Sequence, residues 1–195
     1  IEGRVPFINI FDGFRTSHEI QKIEVWDYDD LKEMCDMDAV RTVRSRGVFM
    51  EHAAPEGTGA MSAVLGLDAA VIEDVLNGRE GVSIANYNCP GQIVITGEAK
   101  AVAEAGTALK EAGARRVLPL KVSGPFHSPM MRPAGEELAK VFAGVSMNPL
   151  KVPYVANINA EVITDCGKIE ELLVAQVSGS VRWQQSVETM IREGV

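Results

Sequence analysis

The strongest constraint in this sequence is the alternation of strand and helix patterns between residues 61 and 120. Short apolar runs typical of strands occupy 61–65, 82–87, 92–97 and 116–120, and amphipathic helix patterns occupy 68–76 and 99–112. Cys89-Pro90-Gly91 is a turn signal that joins the second and third strands in a hairpin. Two strand–helix–strand halves in about 60 residues are what a ferredoxin-like domain requires. The predicted fold class is therefore α/β (α+β), with a ferredoxin-like βαββαβ subdomain.

Charge and cysteine content exclude several function classes. A formal net charge of −8 gives no basic footprint for nucleic acid. No run of about 18 apolar residues and no signal-peptide layout occur, so we expect a cytoplasmic protein with no membrane contact. Cys35, Cys89 and Cys166 lie far apart without a CxxC pair, which argues against a disulfide framework, a metal site or an iron–sulfur cluster. We expect free thiols and no cofactor.

The first 38 residues differ in composition from the remainder. They hold ten acidic and four basic side chains, out of 27 acidic and 19 basic in the whole chain. Residues 1–4 look like a processing-protease site left from a purification tag. The apolar run 5–11 ends at the turn signal Asp12-Gly13 and predicts one buried strand. We therefore place a segment boundary near Asp38.

Helix patterns resume on both sides of the ferredoxin-like segment. Asp38 caps a predicted helix over 39–52, whose buried stripe would consist of Val40, Val43, Gly47 and Met50. Arg46 lies about 60° from that stripe, at its edge. After residue 121 we predict a loop over 122–127, a helix over 133–144, a buried strand over 152–156, and helices over 169–177 and 187–193.

Two residues are candidates for chemistry. His127 follows a predicted strand in a Gly- and Pro-containing loop, where a general base is often held. The alternative is a loop histidine that only hydrogen-bonds a backbone carbonyl. Arg46 could bind a carboxylate through two parallel hydrogen bonds, or could extend along the surface as a partly buried aliphatic stem with a solvated head.

Four motifs occur in a fixed order: DAVRTVRSRG at 38–47, PEGTGAM at 55–61, NCPGQ at 88–92 and GPFHSPMM at 124–131. Together they resemble the malonyl-CoA:acyl carrier protein transacylases of type II fatty acid synthesis, over residues 38–195. The resemblance implies an α/β-hydrolase-like large domain made of 38–60 and 122–195. The ferredoxin-like subdomain, 61–121, would be inserted into it.

The resemblance also implies roles for individual residues. In that family a serine attacks the malonyl thioester, and the carrier-protein thiol then takes the acyl group from the serine ester. His127 would be the general base, and the backbone carbonyl of Gln176 would orient its ring. Arg46 would bind the malonyl carboxylate, and Phe126 would disfavour a branched acyl group. Malonyl-CoA and acyl carrier protein are the implied partners.

The sequence also departs from the family pattern. Neither the Gly-x-Ser-x-Gly pentapeptide of a nucleophile elbow nor the Gly-Gln-Gly-Ser-Gln oxyanion segment occurs in the 195 residues. We therefore expect a truncated transacylase without its nucleophile, and catalytic silence. The open alternatives are that Ser123 or Ser128 substitutes for the missing serine, or that a separate fragment complements the chain.

Residues 5–37 resemble an internal piece of pyruvate:ferredoxin oxidoreductase. The diphosphate-binding segment and cluster cysteines of that enzyme are missing from the sequence, which excludes its activity here. The simplest hypothesis is a chimera with a crossover near Asp38. A strand at 7–11 could fill an open sheet edge within one chain, or exchange between copies to give a homo-oligomer.

Overall fold

The computed structural model describes residues 37–195. The tag remnant, the strand expected over 5–11 and nearly all of the oxidoreductase-like segment 5–37 lie outside the described residues. The helices described are α1 (Met37–His52), α2 (Ala69–Leu76), α3 (Ala99–Glu111), α4 (Arg132–Phe142), α5 (Ile169–Ser178) and α6 (Trp183–Arg192). The strands described are β1 (Gly59–Leu65), β2 (Val82–Cys89), β3 (Gln92–Glu98), β4 (Arg116–Pro119), β5 (Tyr154–Val155) and β6 (Val162–Ile163).

Strands β1 to β4 form one antiparallel sheet in the order β2-β3-β1-β4. The predicted strand and helix order between residues 61 and 120 is present, with each boundary within two residues of its predicted position. Pro90-Gly91 turns β2 into β3, and Gly91 has φ of +75°, which only glycine adopts readily. We call residues 59–119 the sheet unit.

The two faces of the sheet unit bury different partners because successive side chains of a strand point to opposite faces. Helices α2 and α3 cover one face, in a core that contains Ile72, Ile95 and Leu109. The opposite face presents Met61, Ala63, Ala85 and Val94, and Phe126 and Leu120 pack against it. The sheet unit therefore supports the loop that carries His127.

A second region contains the remaining helices. Helix α4 packs against both α1 and α5. Their shared core consists of Met50, Ala54, Met131, Ala134, Leu138, Phe142 and Val177. We call α1 together with residues 124–192 the histidine region. None of the helices within residues 37–195 combines the length and the apolar character that crossing a membrane requires.

The predicted buried stripe of α1 is wrong over its first half. Val40 and Val43 are 48% and 37% exposed, and a methyl group added at Gly47 would meet no atom within 4 Å. Only Met50 is buried, because α4 covers just the C-terminal part of α1. Helical spacing predicts which residues share one side of a helix, but it cannot reveal which part of that side has a partner.

The strand predicted over 152–156 also differs from the structure. Only Tyr154 and Val155 form a strand, both are half-buried, and Val152 is 69% exposed. Their partner is β6, which lies antiparallel and which the sequence analysis did not predict. A two-residue strand leaves too short a pattern to distinguish from a loop. Helix α6 begins at Trp183, four residues before its predicted start.

Candidate active site

The His127 loop is held by hydrogen bonds of its own residues. Buried Ser128 donates through Oγ to the Pro125 carbonyl at 2.6 Å and accepts from the Met130 N–H at 3.2 Å. It thereby caps the short 3₁₀ turn over Pro129–Met131. His127 itself has φ of +58°, a left-handed conformation that is uncommon for a residue other than glycine. Such strain is held in place by the surrounding contacts and is concentrated at functional sites.

The ring of His127 faces two backbone carbonyls. Its Nδ1 atom lies 3.0 Å from the Gln176 oxygen and 3.2 Å from the Gly179 oxygen. Because both neighbours only accept hydrogen bonds, Nδ1 must carry the hydrogen and donate to both. This leaves the lone pair of the neutral ring on Nε2, the atom that can take a proton.

Several influences act on the basicity of His127. Burial lowers the pKa of His127, the hydrogen bond to Gln176 raises it, and the positive charge of Arg46 lowers it. The second hydrogen bond, to Gly179, raises it again. The net pKa lies below the usual 6.5, so the ring is neutral at neutral pH and its Nε2 is available as a base.

Arg46 lies near enough to His127 for its positive charge to act on the ring. It lies on α1, one turn before the buried Met50, and is half-buried. Burial lowers the pKa of Arg46, although a guanidinium stays charged at any physiological pH. Its effect on the pKa of His127 shows that the two side chains are close enough to interact electrostatically. The site therefore combines a neutral base with a fixed positive charge.

The residues after α5 connect the site to the sheet unit. Ser180 donates through Oγ to the Ile84 carbonyl at 2.6 Å, and the Val181 N–H donates to the Ala85 carbonyl at 2.7 Å. The Tyr87 N–H donates in turn to the Val181 carbonyl at 2.9 Å. The sequence analysis missed this connection, because a single parallel bridge between Asn86 and Val181 leaves no periodic pattern.

Phe126 is half-buried between the two regions. It packs against the sheet-unit residues Met61, Ala63, Ala85 and Val94, and also against the histidine-region core. Its ring lies 3.7 Å from the position that a side chain at Gly124 would occupy. Phe126 therefore lies immediately beside the histidine, with a ring fixed by contacts from both regions.

Neither serine named as a substitute nucleophile is placed against the base. Ser128 uses its hydroxyl hydrogen for the Pro125 carbonyl, and Ser123 is exposed. Within residues 37–195, no serine hydroxyl is hydrogen-bonded to Nε2 of His127. Over the same residues, His, Cys, Asp and Glu side chains form no group of three that could hold a metal ion.

A neutral histidine with a free Nε2 beside a fixed positive charge can accept a proton and attract an anionic group. The chain belongs to the acyl transferase domain family, whose model matches residues 31–194. The matched part begins seven residues before Asp38.

Relatives within this family are transacylases. The chain is 48% identical over 162 residues to the malonyl CoA-acyl carrier protein transacylase of Bacillus subtilis (strain 168), covering 81% of this chain and 51% of the relative. It is 47% identical over 162 residues to that of Escherichia coli (strain K12), covering 81% of this chain and 52% of the relative. The chain spans about half the length of the curated relatives it matches.

Solved structures show the same fold. The malonyl-CoA:acyl carrier protein transacylase of Xanthomonas oryzae pv. oryzae superposes with a TM-score of 0.77 at 42% identity, covering 81% of this chain and 51% of the other. A malonyl-transacylase in complex with its type II PKS acyl-carrier protein gives a TM-score of 0.74 at 42% identity, covering 80% and 52%. The α/β class predicted from the sequence is therefore confirmed.

Proposed function

We propose that His127 is the general base and Arg46 the carboxylate-binding residue of a malonyl transacylase. Such an enzyme moves a malonyl group from coenzyme A to the thiol of an acyl carrier protein. The observation that carries the proposal is the His127 ring, which donates through Nδ1 to two carbonyls and keeps Nε2 basic beside Arg46. The relatives named for this reaction, at 47–48% identity, support the choice of acyl group.

Arg46 binds the free carboxylate of the malonyl group in this proposal. A guanidinium presents two parallel N–H donors that match the two oxygens of a carboxylate. Partial burial strengthens such a pair, since less water competes for the charge. An acyl group without a terminal carboxylate cannot make these two charge-assisted hydrogen bonds, so the site selects malonyl over acetyl groups.

His127 removes the proton from the attacking hydroxyl and later returns one. Because Nδ1–H is already donated, Nε2 can accept the proton without a change of tautomer. Two neutral carbonyls take the place that an aspartate holds in other triads, with Gln176 supplying the nearer one. Phe126 lies next to this base and would crowd a methyl branch on the acyl chain.

The attacking serine lies outside the 195 residues in this proposal. The sequence contains no Gly-x-Ser-x-Gly segment, and Ser128 serves as a cap. The chain by itself is then catalytically silent. Transfer requires a polypeptide that carries the nucleophile and the oxyanion donors.

In this proposal the chain consists of two parts of a transacylase. Residues 61–121 form a ferredoxin-like subdomain, which is supported by the βαββαβ order of elements and by the antiparallel strand order β2-β3-β1-β4. Residues 38–60 and 122–195 belong to the large acyltransferase domain, and the cytoplasm is the expected location. The oxidoreductase-like origin of 5–37 and the exchange of strands between copies remain hypotheses.

Intact-mass spectrometry after incubation with malonyl-CoA tests the proposal. We expect no malonyl ester on the chain alone. Adding the serine-bearing half of a family relative should give an ester on the added polypeptide, and His127→Ala should abolish it. A stoichiometric ester on the chain alone, lost in Ser123→Ala or Ser128→Ala, would contradict the assignment.

A further inference from the structure

Gln176 contributes more than its backbone carbonyl to the site. Its side-chain amide nitrogen Nε2 donates to the Gly179 carbonyl at 3.0 Å and to the Ser180 carbonyl at 3.3 Å. The Gly179 carbonyl is also the second acceptor of His127 Nδ1–H. The Gln176 side-chain amide and the His127 ring thus donate to the same Gly179 oxygen.

The orientation of this amide is fixed by its neighbours. Both groups that face Nε2 are carbonyl oxygens, so a flipped amide would place oxygen against oxygen. The amide oxygen Oε1 is buried and has no hydrogen-bond partner within residues 37–195. An unpaired buried acceptor is unfavourable, so the two Nε2 bonds must offset it if the side chain is to stay in this place.

The Gly179 carbonyl depends on local geometry for its position. A methyl group at residue 179 would overlap Ile158 Cδ1 and lie 3.0 Å from the Ala175 carbonyl, so the backbone fits closely there. The Gly179 N–H donates to the Ala175 carbonyl at 2.9 Å, and the Ser180 hydroxyl donates to the Ile84 carbonyl in β2. The amide of Gln176 is the one side-chain donor, within residues 37–195, that reaches the Gly179 oxygen besides His127 itself.

We propose that the Gln176 side-chain amide is a positioning group that holds the Gly179 carbonyl against His127 Nδ1–H and so maintains the tautomer with a free Nε2. Without the amide, the Gly179 carbonyl loses the side-chain donor that orients its oxygen, and its hydrogen bond from Nδ1–H weakens. The tautomer with the hydrogen on Nε2, in which Nε2 can no longer accept a proton, then becomes more populated. This inference rests on the proposed role of His127 as the base.

The test compares histidine tautomers by ¹⁵N NMR in the 195-residue chain, at a pH where His127 is neutral. Gln176→Met removes the amide but keeps the backbone carbonyl and most of the side-chain volume. We expect the ratio of Nδ1–H to Nε2–H tautomer to fall about tenfold, the effect of losing one hydrogen bond of typical strength. The matched control is Gln184→Met, at a half-buried residue of α6 whose side-chain amide donates to Glu188 in an exposed hydrogen bond, and it should leave the ratio unchanged.

A folded Gln176→Met variant with the wild-type ratio would overturn the proposal. If circular dichroism shows that this variant does not fold, the wild-type chain is measured instead. The measurement is the scalar coupling across the hydrogen bond between the Gln176 amide nitrogen and the Gly179 carbonyl carbon. A detected coupling supports the proposal, and its absence overturns it. Neither readout requires malonyl binding, so this inference and the proposed function can fail separately.

Discussion

In the sheet unit, residues 59–119, the paired strands all come from one continuous stretch of the chain that also contains the two helices covering the sheet. In the histidine region, by contrast, the site joins Arg46, His127 and Gln176, which are spread over 130 positions of the chain. The first region is specified by local periodicity and turns, and the second by a few long-range hydrogen bonds. The residues that build the sheet and those that surround the His127 ring therefore lie in different parts of the chain.

This contrast gives an ordered set of expectations. Substitutions in the sheet unit should cost the most stability and leave the histidine ring unchanged while the protein stays folded. Substitutions in the histidine region should cost less stability but alter the ring.

Gly97→Ala should have the largest effect on stability. Gly97 has φ of +145°, and an added Cβ would overlap the Gly81 carbonyl. Backbone strain and overpacking together should lower the free energy of unfolding by about 3–5 kcal/mol. Gly78→Ala is the control, since Gly78 also has positive φ (+76°) but has no atom within 4 Å of the added group, so about 1–2 kcal/mol is expected. Equal losses in urea denaturation would show that close approach to Gly81 is unimportant.

Ser128→Ala should have an intermediate effect. The substitution removes the hydroxyl that donates to the Pro125 carbonyl and caps the turn after His127. We expect a loss of about 1–2 kcal/mol, together with a changed His127 NMR signal. Ser123→Ala, at an exposed position, should change stability by less than about 0.5 kcal/mol. An unchanged His127 signal in the folded Ser128→Ala variant would show that the Ser128 cap does not position the His127 ring.

The pH dependence of stability should show a smaller effect. The pKa of His127 in the folded chain lies below 6.5, chiefly because of burial. Between the folded-state pKa and 6.5, the unfolded state therefore binds more protons than the folded state. The stability that comes from keeping His127 neutral and buried is fully present above pH 6.5, and it is lost as the pH falls from 6.5 through the folded-state pKa. His127→Gln should flatten the dependence in urea denaturation series, and His52→Gln, at an exposed position, should not. A wild-type slope retained in His127→Gln would exclude His127 as its source.

The same contrast explains what the sequence could predict. Alternation of period two and helical spacing placed the sheet unit within two residues, because those patterns record burial locally. The burial of Val40 and Val43 was predicted wrongly, because it depends on what lies opposite the helix. The hydrogen bond from Ser180 Oγ to the Ile84 carbonyl spans 96 positions, and its acceptor is a backbone atom, which leaves no signature in residue identity.

Site residues were reached in a different way from the fold. A histidine after a strand and an arginine at a helix edge have ordinary alternatives, and only the family motifs favoured chemistry for them. The geometry then supplies what motifs cannot, namely which ring nitrogen carries the hydrogen. The roles of His127, Gln176, Arg46 and Phe126 stay predictions until binding and transfer are measured.

A malonate titration followed at the His127 ring by NMR tests most directly whether Arg46 and His127 form one malonyl-binding site. We expect saturable shifts in the wild type and in Arg44→Met, an exposed arginine of the same helix. Arg46→Met should weaken binding about 10- to 100-fold, the effect of losing a charge-assisted hydrogen bond. A wild-type His127 signal that malonate does not move, or equal affinity in Arg46→Met, would contradict the account.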